Sequence, residues 1–577
     1  MAGSFWNKYT THRMSRRRML QTTGVAGAAA GAIAIVGCGG GSGDKTPTAG
    51  ESPVVGETPT PEVLNPVRGG RYKIASTADF DTFDPYIAIA ASVAYFPRLY
   101  NVLVNFSALD SEFRFDDLST GYEHPDDNSY IFSIRPGVKV GPNPLGVPER
   151  DLTAQDIVTS YERIVSLPQS NAFAFIGQWL ESQEASADGM TYTMGMKGAY
   201  AYFRNRIGSS INTVVPAEAL EDGTIEKLKT QAAGAGPYVL TNYAEGSGAT
   251  LDANVNYYGV DPNNNNEAVP YVDGLDVSII TDRQPLRTAF IDGQLSLYSA
   301  QNITDAKDLN SEGKYVERRD PVNTFLAFTM NPTKEPWQDD RIRKAAMHAI
   351  DRQAFVDRVY QGEAEANGLI HWPLGDIGLP KDERDELQKY DPQMSKDLIR
   401  AVTGEDTIQI KMMYPAESEI EEHSLHLPIF LQQLRQAGFE VQEEPQAFGT
   451  WLENYTNMNY DCSLALNQVY EYAEFLMDFQ HSEGPARNNI YAVGVGALYP
   501  DIDEDIDRVK GITDPEEFQT AMHGLQRRIY EVGPTFLPLV SPYSFTLYQK
   551  NVKGIPSGIG SSGLFINTFY IDPTVAI

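Results

Sequence analysis

Only two of the 577 residues are cysteines, Cys38 and Cys462, and their surroundings differ. Cys38 ends an apolar N-terminal stretch, whereas Cys462 lies in an alternating pattern that is typical of a strand. So few thiols exclude a fold held together by disulfides, and they exclude a zinc site that needs three or more thiolates. Because 42% of the residues are apolar, we expect a hydrophobic core to stabilise the chain instead.

The formal net charge is −31, yet the N-terminal region is basic. Residues 1–37 contain five lysines or arginines and no acidic residue, so the negative charge belongs to the rest of the chain. A surface this acidic repels phosphate groups, which argues against a nucleic-acid partner.

The first 38 residues have the layout of an export signal, in which basic residues precede an apolar stretch. The segment SRRRML at 15–20 resembles a twin-arginine signal, although Met19 stands where phenylalanine is usual. The stretch IVGC at 35–38 resembles a lipobox, which implies that Cys38 is lipidated and becomes N-terminal after cleavage. A single transmembrane helix over residues 19–37 is the alternative interpretation.

Residues 39–66 are rich in glycine, serine, threonine and proline. This composition predicts a flexible tether rather than a folded element. The signal (1–38), the tether and the body that follows predict an exported lipoprotein. We expect it to be anchored through Cys38 at the outer face of the cytoplasmic membrane, facing the cell surface or the periplasm.

The body mixes strand and helix patterns without a fixed repeat, which predicts an α/β or α+β architecture. Strands are predicted for RYKIA at 71–75 and YIFSIR at 130–135. One helix is predicted to carry apolar residues from Asp339 to Ile350 and to stop at Gly362. The predicted helix starts are Thr153 with Asp156, Asp339, Ser395, and Asp514 with Pro515.

Several segments resemble motifs of the extracytoplasmic solute-binding proteins of ABC importers, specifically the large peptide/nickel-type family (bacterial family 5). Each motif is weak by itself, but the set keeps the family's order from about residue 67 to 577. The segments are GGRY at 69–72, DP at 84–85, LTAQDIV at 152–158, GAGPY at 234–238, NYY at 256–258, NP at 331–332, DRIRKA at 340–345, AIDR at 349–352, YDP at 390–392 and the stretch 534–538.

The resemblance implies an α/β, two-lobed periplasmic-binding-protein fold (type II, similar to the large cluster C proteins). Two crossing strands would join the lobes, the ligand would bind between them, and hinge closure would follow. Lobe I is expected to be discontinuous and to carry an inserted subdomain. The implied boundaries are 67–105, 236–325 and 535–577 for lobe I, 106–235 for the inserted subdomain, and 326–534 for lobe II.

The resemblance also implies a ligand loop at NQVYEYAEF, residues 467–475. Peptide-binding members carry there an aspartate that pairs with the ligand's α-ammonium group, whereas this chain has Gln468 at the matching position. A neutral amide lacks the charge-assisted bond, so Glu471, three residues on, is the candidate replacement. Aromatic faces add apolar area to a cleft. The predicted ligand-binding residues are Gln468, Tyr470, Glu471, Tyr472, Asn331 and Trp451.

Two further patterns have weaker functional interpretations. GIGSSG at 558–563 matches GxGxxG, but a strand-like segment follows it where a dinucleotide site needs a helix, so a flexible loop is preferred. His423 and His426 could hold a metal from one helix face, but a solvated helix start is preferred. We therefore predict no metal, no cofactor and no catalytic residue.

These features predict substrate capture for an ABC importer, without chemistry. The expected partners are a small peptide-like solute, a permease and ATPase complex, and the membrane through the lipid anchor; the protein is expected to be a monomer. Two alternatives stay open. One is a secreted hydrolase, which export and size support, and the other is a surface sensor or adhesin that uses the same binding fold without a transporter.

Overall fold

The computed structural model describes most of the chain from Asn65 onward, and Pro66–Ile577 forms one unit by its internal contacts. The predicted signal, Cys38, most of the tether and the GIGSSG segment lie outside the described residues. The described ranges are 65–88, 91–107, 112–114, 117–168, 170–200, 203–321, 324–370, 377–416, 423–468, 477–484, 493–512, 514–555 and 568–575.

The strands are numbered here in chain order. They are β1 (Arg71–Ser76), β2 (Asn101–Val102), β3 (Asn105–Ser107), β4 (Glu112–Arg114), β5 (Ser119–Asp126), β6 (Ser129–Ile134), β7 (Leu180–Ala185), β8 (Thr191–Met196), β9 (Thr213–Val214), β10 (Tyr238–Ala244), β11 (Gly248–Ala253), β12 (Val260–Asp261), β13 (Glu267–Ala268), β14 (Gly274–Ile279), β15 (Leu297–Ser299), β16 (Val316–Pro321), β17 (Thr324–Met330), β18 (Ala364–Ala366), β19 (Ile408–Pro415), β20 (Phe439–Gln446), β21 (Cys462–Gln468), β22 (Phe536–Tyr548), β23 (Val552–Lys553) and β24 (Tyr570–Ile571).

The helices are numbered in the same way. They are α1 (Phe96–Leu99), α2 (Ala154–Ser166), α3 (Ile176–Trp179), α4 (Phe203–Ile207), α5 (Arg283–Ile291), α6 (Ile303–Leu309), α7 (Asp340–His348), α8 (Arg352–Arg358), α9 (Lys381–Leu387), α10 (Pro392–Thr403), α11 (His423–Gln436), α12 (Phe448–Thr456), α13 (Pro500–Lys510) and α14 (Pro515–Val532). Short 3-10 turns cover Ala91–Tyr95, Asn171–Ala174, Ala217–Leu220, Ile225–Lys229 and Val495–Ala497. Within the described ranges, no helix is both long and apolar enough to cross a bilayer.

A four-stranded sheet in the order β1-β14-β11-β10 opens the body. The strand predicted at 71–75 is confirmed as β1, which runs parallel to β14. Tyr72 and Ile74 are buried while Lys73 between them is exposed, which is the alternation of a strand with one face on the core.

A second four-stranded sheet, in the order β5-β6-β8-β7, belongs to the region predicted as the inserted subdomain. Helix α2 contacts β7 and β8, and its predicted start is confirmed. Thr153 and Asp156 form a reciprocal capping box, in which each side chain bonds to the other residue's backbone. One cation and a second acid extend this contact, because Arg150 binds both Asp156 and Glu218.

The largest sheet has eight strands, and β22 runs through its centre. The first half of β22 pairs with β17 and β18, whereas its second half, from Tyr543 to Tyr548, pairs with β15 and β16. The chain passes between the same two groups of strands a second time, from the end of β16 to the start of β17. The two predicted lobes therefore meet along two neighbouring stretches of backbone.

Two helix predictions differ from the structure. The helix predicted from Asp339 to Gly362 is two helices, because Asp351 caps a new start by accepting from the backbone N–H of Ala354. The helix predicted from Ser395 begins at Pro392, where Asp391 is the N-cap. In the first case a capping aspartate interrupts the apolar periodicity that carried the prediction, and in the second Asp391 caps the helix one turn before the predicted cap at Ser395.

Helix α7 is joined to the end of α14 by one buried arginine. The Arg343 guanidinium donates to the carbonyl oxygens of Gly533, Val532, Trp337 and Gln338 at 2.6–2.9 Å. Its side chain is fully buried, and this burial lowers its pKa. Four carbonyl acceptors satisfy a charge that would otherwise be costly to bury.

Candidate functional site

A cleft of about 320 Å³ lies where the two predicted lobes meet. Its floor is the part of β22 at which the strand changes partners, Pro542 to Phe545. The remaining lining residues come from both sides of the crossing. They are Arg283, Ser299, Ala300, Gln301, Asn302 and Ile303 from predicted lobe I, Thr324 at the crossing, and Val359, Tyr360, Glu363, Leu425 and His426 from predicted lobe II.

Two side-chain contacts bridge the rim of the cleft. Gln361, in the turn after α8, donates to the hydroxyl of Thr304 on α6 at 2.8 Å and accepts from Lys307 at 3.5 Å. Glu363 accepts from Arg319 on β16 at 2.6 Å. Each contact joins predicted lobe I to predicted lobe II beside the cleft.

The turn that supplies Gln361 is locally strained. Gln361 has φ = 53°, in the left-handed region that residues other than glycine seldom adopt, and Gly362 follows with φ = 86°. Such a conformation persists only when neighbouring contacts hold it in place. The bonds to Thr304 and Lys307 are contacts of that kind.

His426 is buried in the wall of the cleft and interacts with Tyr360 on the neighbouring helix end. The Tyr360 hydroxyl lies 2.6 Å from His426 Nε2. The side chain of His423, proposed above as a possible metal partner, lies outside the described part of the chain. Among the described residues, no three His, Cys, Asp or Glu side chains are placed to hold a metal ion.

Most charges around the cleft are paired within the chain. Arg287 on α5 binds Asp305 and Asp308, and Tyr298 also donates to Asp305 at 2.7 Å. Burial, together with this bond to a carboxylate, raises the pKa of Tyr298. Arg283, one turn earlier on α5, is exposed to the cleft and forms no hydrogen bond or ion pair with any described residue.

The predicted ligand loop begins beside the cleft. Strand β21 ends at Gln468, whose backbone is in register with that of Thr324, a lining residue. Tyr470, Glu471 and Tyr472 lie outside the described residues, as does the side chain of Gln468. The backbone of β21 nevertheless brings Gln468 to the crossing, and the ligand-binding role of the residues that follow stays a prediction.

The structure gives Asn331 and Trp451 interior positions that do not line the cleft. The Asn331 amide donates to the carbonyls of Met458 and Tyr460, and the residue is 1% exposed. Trp451 packs on Tyr455 and donates its indole N–H to Ser463 at 3.2 Å. Both side chains pack in the interior in this conformation, and the ligand contact that the sequence suggested for them stays a prediction.

Sequence reasoning missed Arg283 and Leu425 as cleft residues. Arg283 follows Asp282 at a helix start, and Leu425 belongs to the apolar run of α11. Both patterns are common in proteins of every function. Only the crossing of the chain brings the two residues into the lining of one cavity.

Comparison with known proteins decides the family. Residues 116–483 match the family described as bacterial extracellular solute-binding proteins, family 5 Middle. The chain belongs to this family. Its members are solute-binding proteins of the extracytoplasmic space rather than enzymes, as the sequence motifs predicted.

Two relatives of this family 5 protein match it over different lengths. The heme-binding protein A of Haemophilus influenzae is 26% identical over 322 residues, which cover 52% of this chain and 56% of that protein. Protein XP55 of Streptomyces lividans is 26% identical over 544 residues, or 91% of each chain. The first of these matches thus spans little more than half of the relative's length.

A solved structure confirms the fold class of this family 5 chain. The dipeptide binding protein from Pseudoalteromonas sp. SM9913, in complex with Met-Leu, superposes with a TM-score of 0.71 at 17% identity. The superposition covers 87% of this chain and all of the other. The predicted α/β, two-lobed periplasmic-binding-protein fold is therefore confirmed.

Proposed function

We propose that this chain captures a small organic solute between its two lobes and delivers it to the permease and ATPase of an ABC importer, without chemistry of its own. The observation that carries the proposal is the cleft at the crossing, lined from both lobes and bridged at its rim. Closure of two hinged lobes presents a surface that the open state lacks, so solute binding shifts the population that a permease recognises.

The dimensions of the cleft favour a small solute. Its volume of about 320 Å³ is at the lower end of the range of about 300–1,000 Å³ that is typical of small-molecule sites. The lining combines apolar side chains with a few polar ones, as such sites do. A short peptide or a peptide-like compound fits this description.

Binding and closure can be measured together. Native mass spectrometry of the purified protein should reveal a carried solute, and calorimetry should give its affinity. Small-angle X-ray scattering should show a smaller radius of gyration in the loaded protein than in the stripped one. If no solute were carried, none bound in a broad thermal-shift panel and the radius never changed, the proposal would be abandoned.

The ligand loop offers a finer test of a peptide-like solute. We propose that Glu471 takes the place of the aspartate that Gln468 replaces. Glu471→Gln should weaken binding of an amine-bearing solute by about 1.5–3 kcal/mol, since it removes a charge-assisted hydrogen bond. Gln468→Asp puts back the aspartate of the peptide-binding members. We expect it to restore the affinity that Glu471→Gln removes when the two substitutions are combined. Unchanged affinity in both variants would remove the loop carboxylate from the site.

The place of action is part of the same proposal. Export by the N-terminal signal, lipidation of Cys38 and a tether of residues 39–66 would hold a monomeric body at the outer face of the cytoplasmic membrane. The basic and apolar N-terminal pattern and the IVGC segment support this proposal.

A further inference from the structure

Arg283 stands out among the cations around the cleft. Arg319 is engaged by Glu363, Lys307 bonds to Gln361, and Arg287 is held by two aspartates. Arg283 alone among these four has no hydrogen bond or ion pair to a described residue, and it lines the cavity. The described lining therefore leaves one positive charge uncompensated, because the one acidic lining residue, Glu363, is already paired.

On the side of predicted lobe II, the lining includes an exposed apolar side chain. Leu425 on α11 lines the cleft and is 48% exposed, whereas the apolar lining residues Ile303 and Phe545 are 5% and 4% exposed. A leucine left in water within a concave site offers contact area that a ligand can cover, and covering it is favourable in proportion to the area removed from water.

Building on the proposed function, we propose that the cleft selects solutes that carry both an anionic group, which Arg283 binds, and an apolar group, which covers Leu425. A guanidinium matches the geometry of a carboxylate through two parallel hydrogen bonds. Leu425 supplies the apolar contact from the other lobe. The specificity of the site thus rests on one residue from each wall.

The net charge of the whole chain makes anion binding depend on a cation within the cleft. At a net charge of −31, the surface repels anions at long range, and a local cation is needed to hold one in the cleft. A neutral or cationic solute does not need a local cation to hold it in the cleft, and it forms no ion pair with Arg283. The negative net charge of the chain therefore does not predict a cationic solute, because the unpaired charge in the described lining, that of Arg283, is positive.

The two contacts also couple specificity to closure. Arg283 belongs to predicted lobe I and Leu425 to predicted lobe II, so only a solute with both groups contacts both walls at once. A ligand shifts a conformational equilibrium only by its differential affinity for the two states. A solute that lacks one of the groups engages one lobe and favours the closed state less.

Three dipeptides separate these contributions. The probes are leucyl-leucine, leucyl-leucine amide and seryl-serine, measured by calorimetry on the purified protein. We expect leucyl-leucine to bind roughly tenfold or more tightly than its amide, which lacks the carboxylate, since charged hydrogen bonds are worth about 1.5–3 kcal/mol. Seryl-serine should bind more weakly than leucyl-leucine, because it leaves Leu425 uncovered.

Variants then assign each preference to a residue. Arg283→Gln should abolish the discrimination between acid and amide, and Leu425→Ser should reduce the preference for leucyl-leucine over seryl-serine while keeping the acid preference. Arg287→Gln is the matched control on the same helix, since Arg287 does not line the cleft, and it should keep both preferences.

The outcomes separate this inference from the proposed function. If acid and amide bind equally to the wild type, or if Arg283→Gln still discriminates, the inference is overturned while solute capture stands. A carried solute without an anionic group has the same consequence. If the wild type carries no solute and binds none of the probes, both proposals fall.

Discussion

The side-chain amide of Gln361 donates to the hydroxyl of Thr304 across the mouth of the cleft, at 2.8 Å. The donor lies in a left-handed turn of one lobe and the acceptor on a helix of the other. Because the bond joins the two predicted lobes, we expect it to break when they separate. We therefore expect it to favour the conformation in which the lobes are together.

Removing this bond should weaken solute binding. Thr304→Val keeps the shape of the side chain and deletes the acceptor, and we expect affinity to fall by up to about tenfold, as a hydrogen bond is worth about 0.5–1.5 kcal/mol. Calorimetry gives the affinity, and X-ray scattering gives the population of the closed form. The exposed Thr288→Val on α5 is the control. Equal affinity in both variants would contradict a role in closure.

Loss of Arg343 should destabilise the fold. Arg343→Met leaves four carbonyl oxygens, three of them in buried bonds, without this donor, which we expect to cost about 3–5 kcal/mol of unfolding free energy. Urea unfolding followed by circular dichroism measures the change. Arg341→Met, at the exposed neighbour, should leave the unfolding midpoint nearly unchanged. A midpoint for Arg343→Met equal to that of the wild type would show that water replaces the guanidinium.

Acid should weaken the region predicted as the inserted subdomain, through Glu218. Its hydrogen bond from Arg150 lowers the pKa of Glu218 below its ordinary value of 4.5. A lowered folded-state pKa gives stability that is present above pH 4.5 and is lost as the pH falls through the folded-state value. Glu218→Gln should therefore reduce the thermal midpoint at pH 6 and flatten its fall towards pH 3. The exposed Glu226→Gln serves as the control, and parallel curves for both variants and the wild type would refute the prediction.

The two cysteines should behave in opposite ways. Metabolic labelling with a fatty acid should mark the wild type and Cys462→Ala but not Cys38→Ala. Cys462 is buried, donates to the carbonyl of Lys411 at 3.2 Å, and has a pKa raised by burial, so it should resist alkylation in the folded protein. Labelling that survives Cys38→Ala would contradict a lipobox at residues 35–38.

The sequence predicted local features well where short-range chemistry determines them. The capping box of Thr153 and Asp156 is an example, because both partners lie within one helical turn. The break at Asp351 was missed because Ala349 and Ile350 continue the apolar spacing through the end of α7. The ordered motifs identified the family and the fold, while the cleft residues Arg283 and Leu425 depend on long-range crossing that no local pattern encodes.

The site residues illustrate the same limit. Asn331 belongs to a family motif, yet its amide holds the Met458 and Tyr460 backbone together, so a motif position can reflect packing alone. Trp451 has an aromatic face suited to a ligand, but Tyr455 and Ser463 already engage it. The residue type indicates which contacts a side chain can make, and its position in the folded chain determines which of these contacts it makes.

The strand β22 is made after every strand with which it pairs, and these strands belong to both predicted lobes. During synthesis, neither half of the large sheet has its central partner until residues 536–548 have emerged. Completion of the two lobes is thus a single late event rather than two independent ones. A chain truncated before Phe536 lacks an interior strand on both sides of the hinge, so we expect proteases to remove it as a whole rather than to spare one lobe.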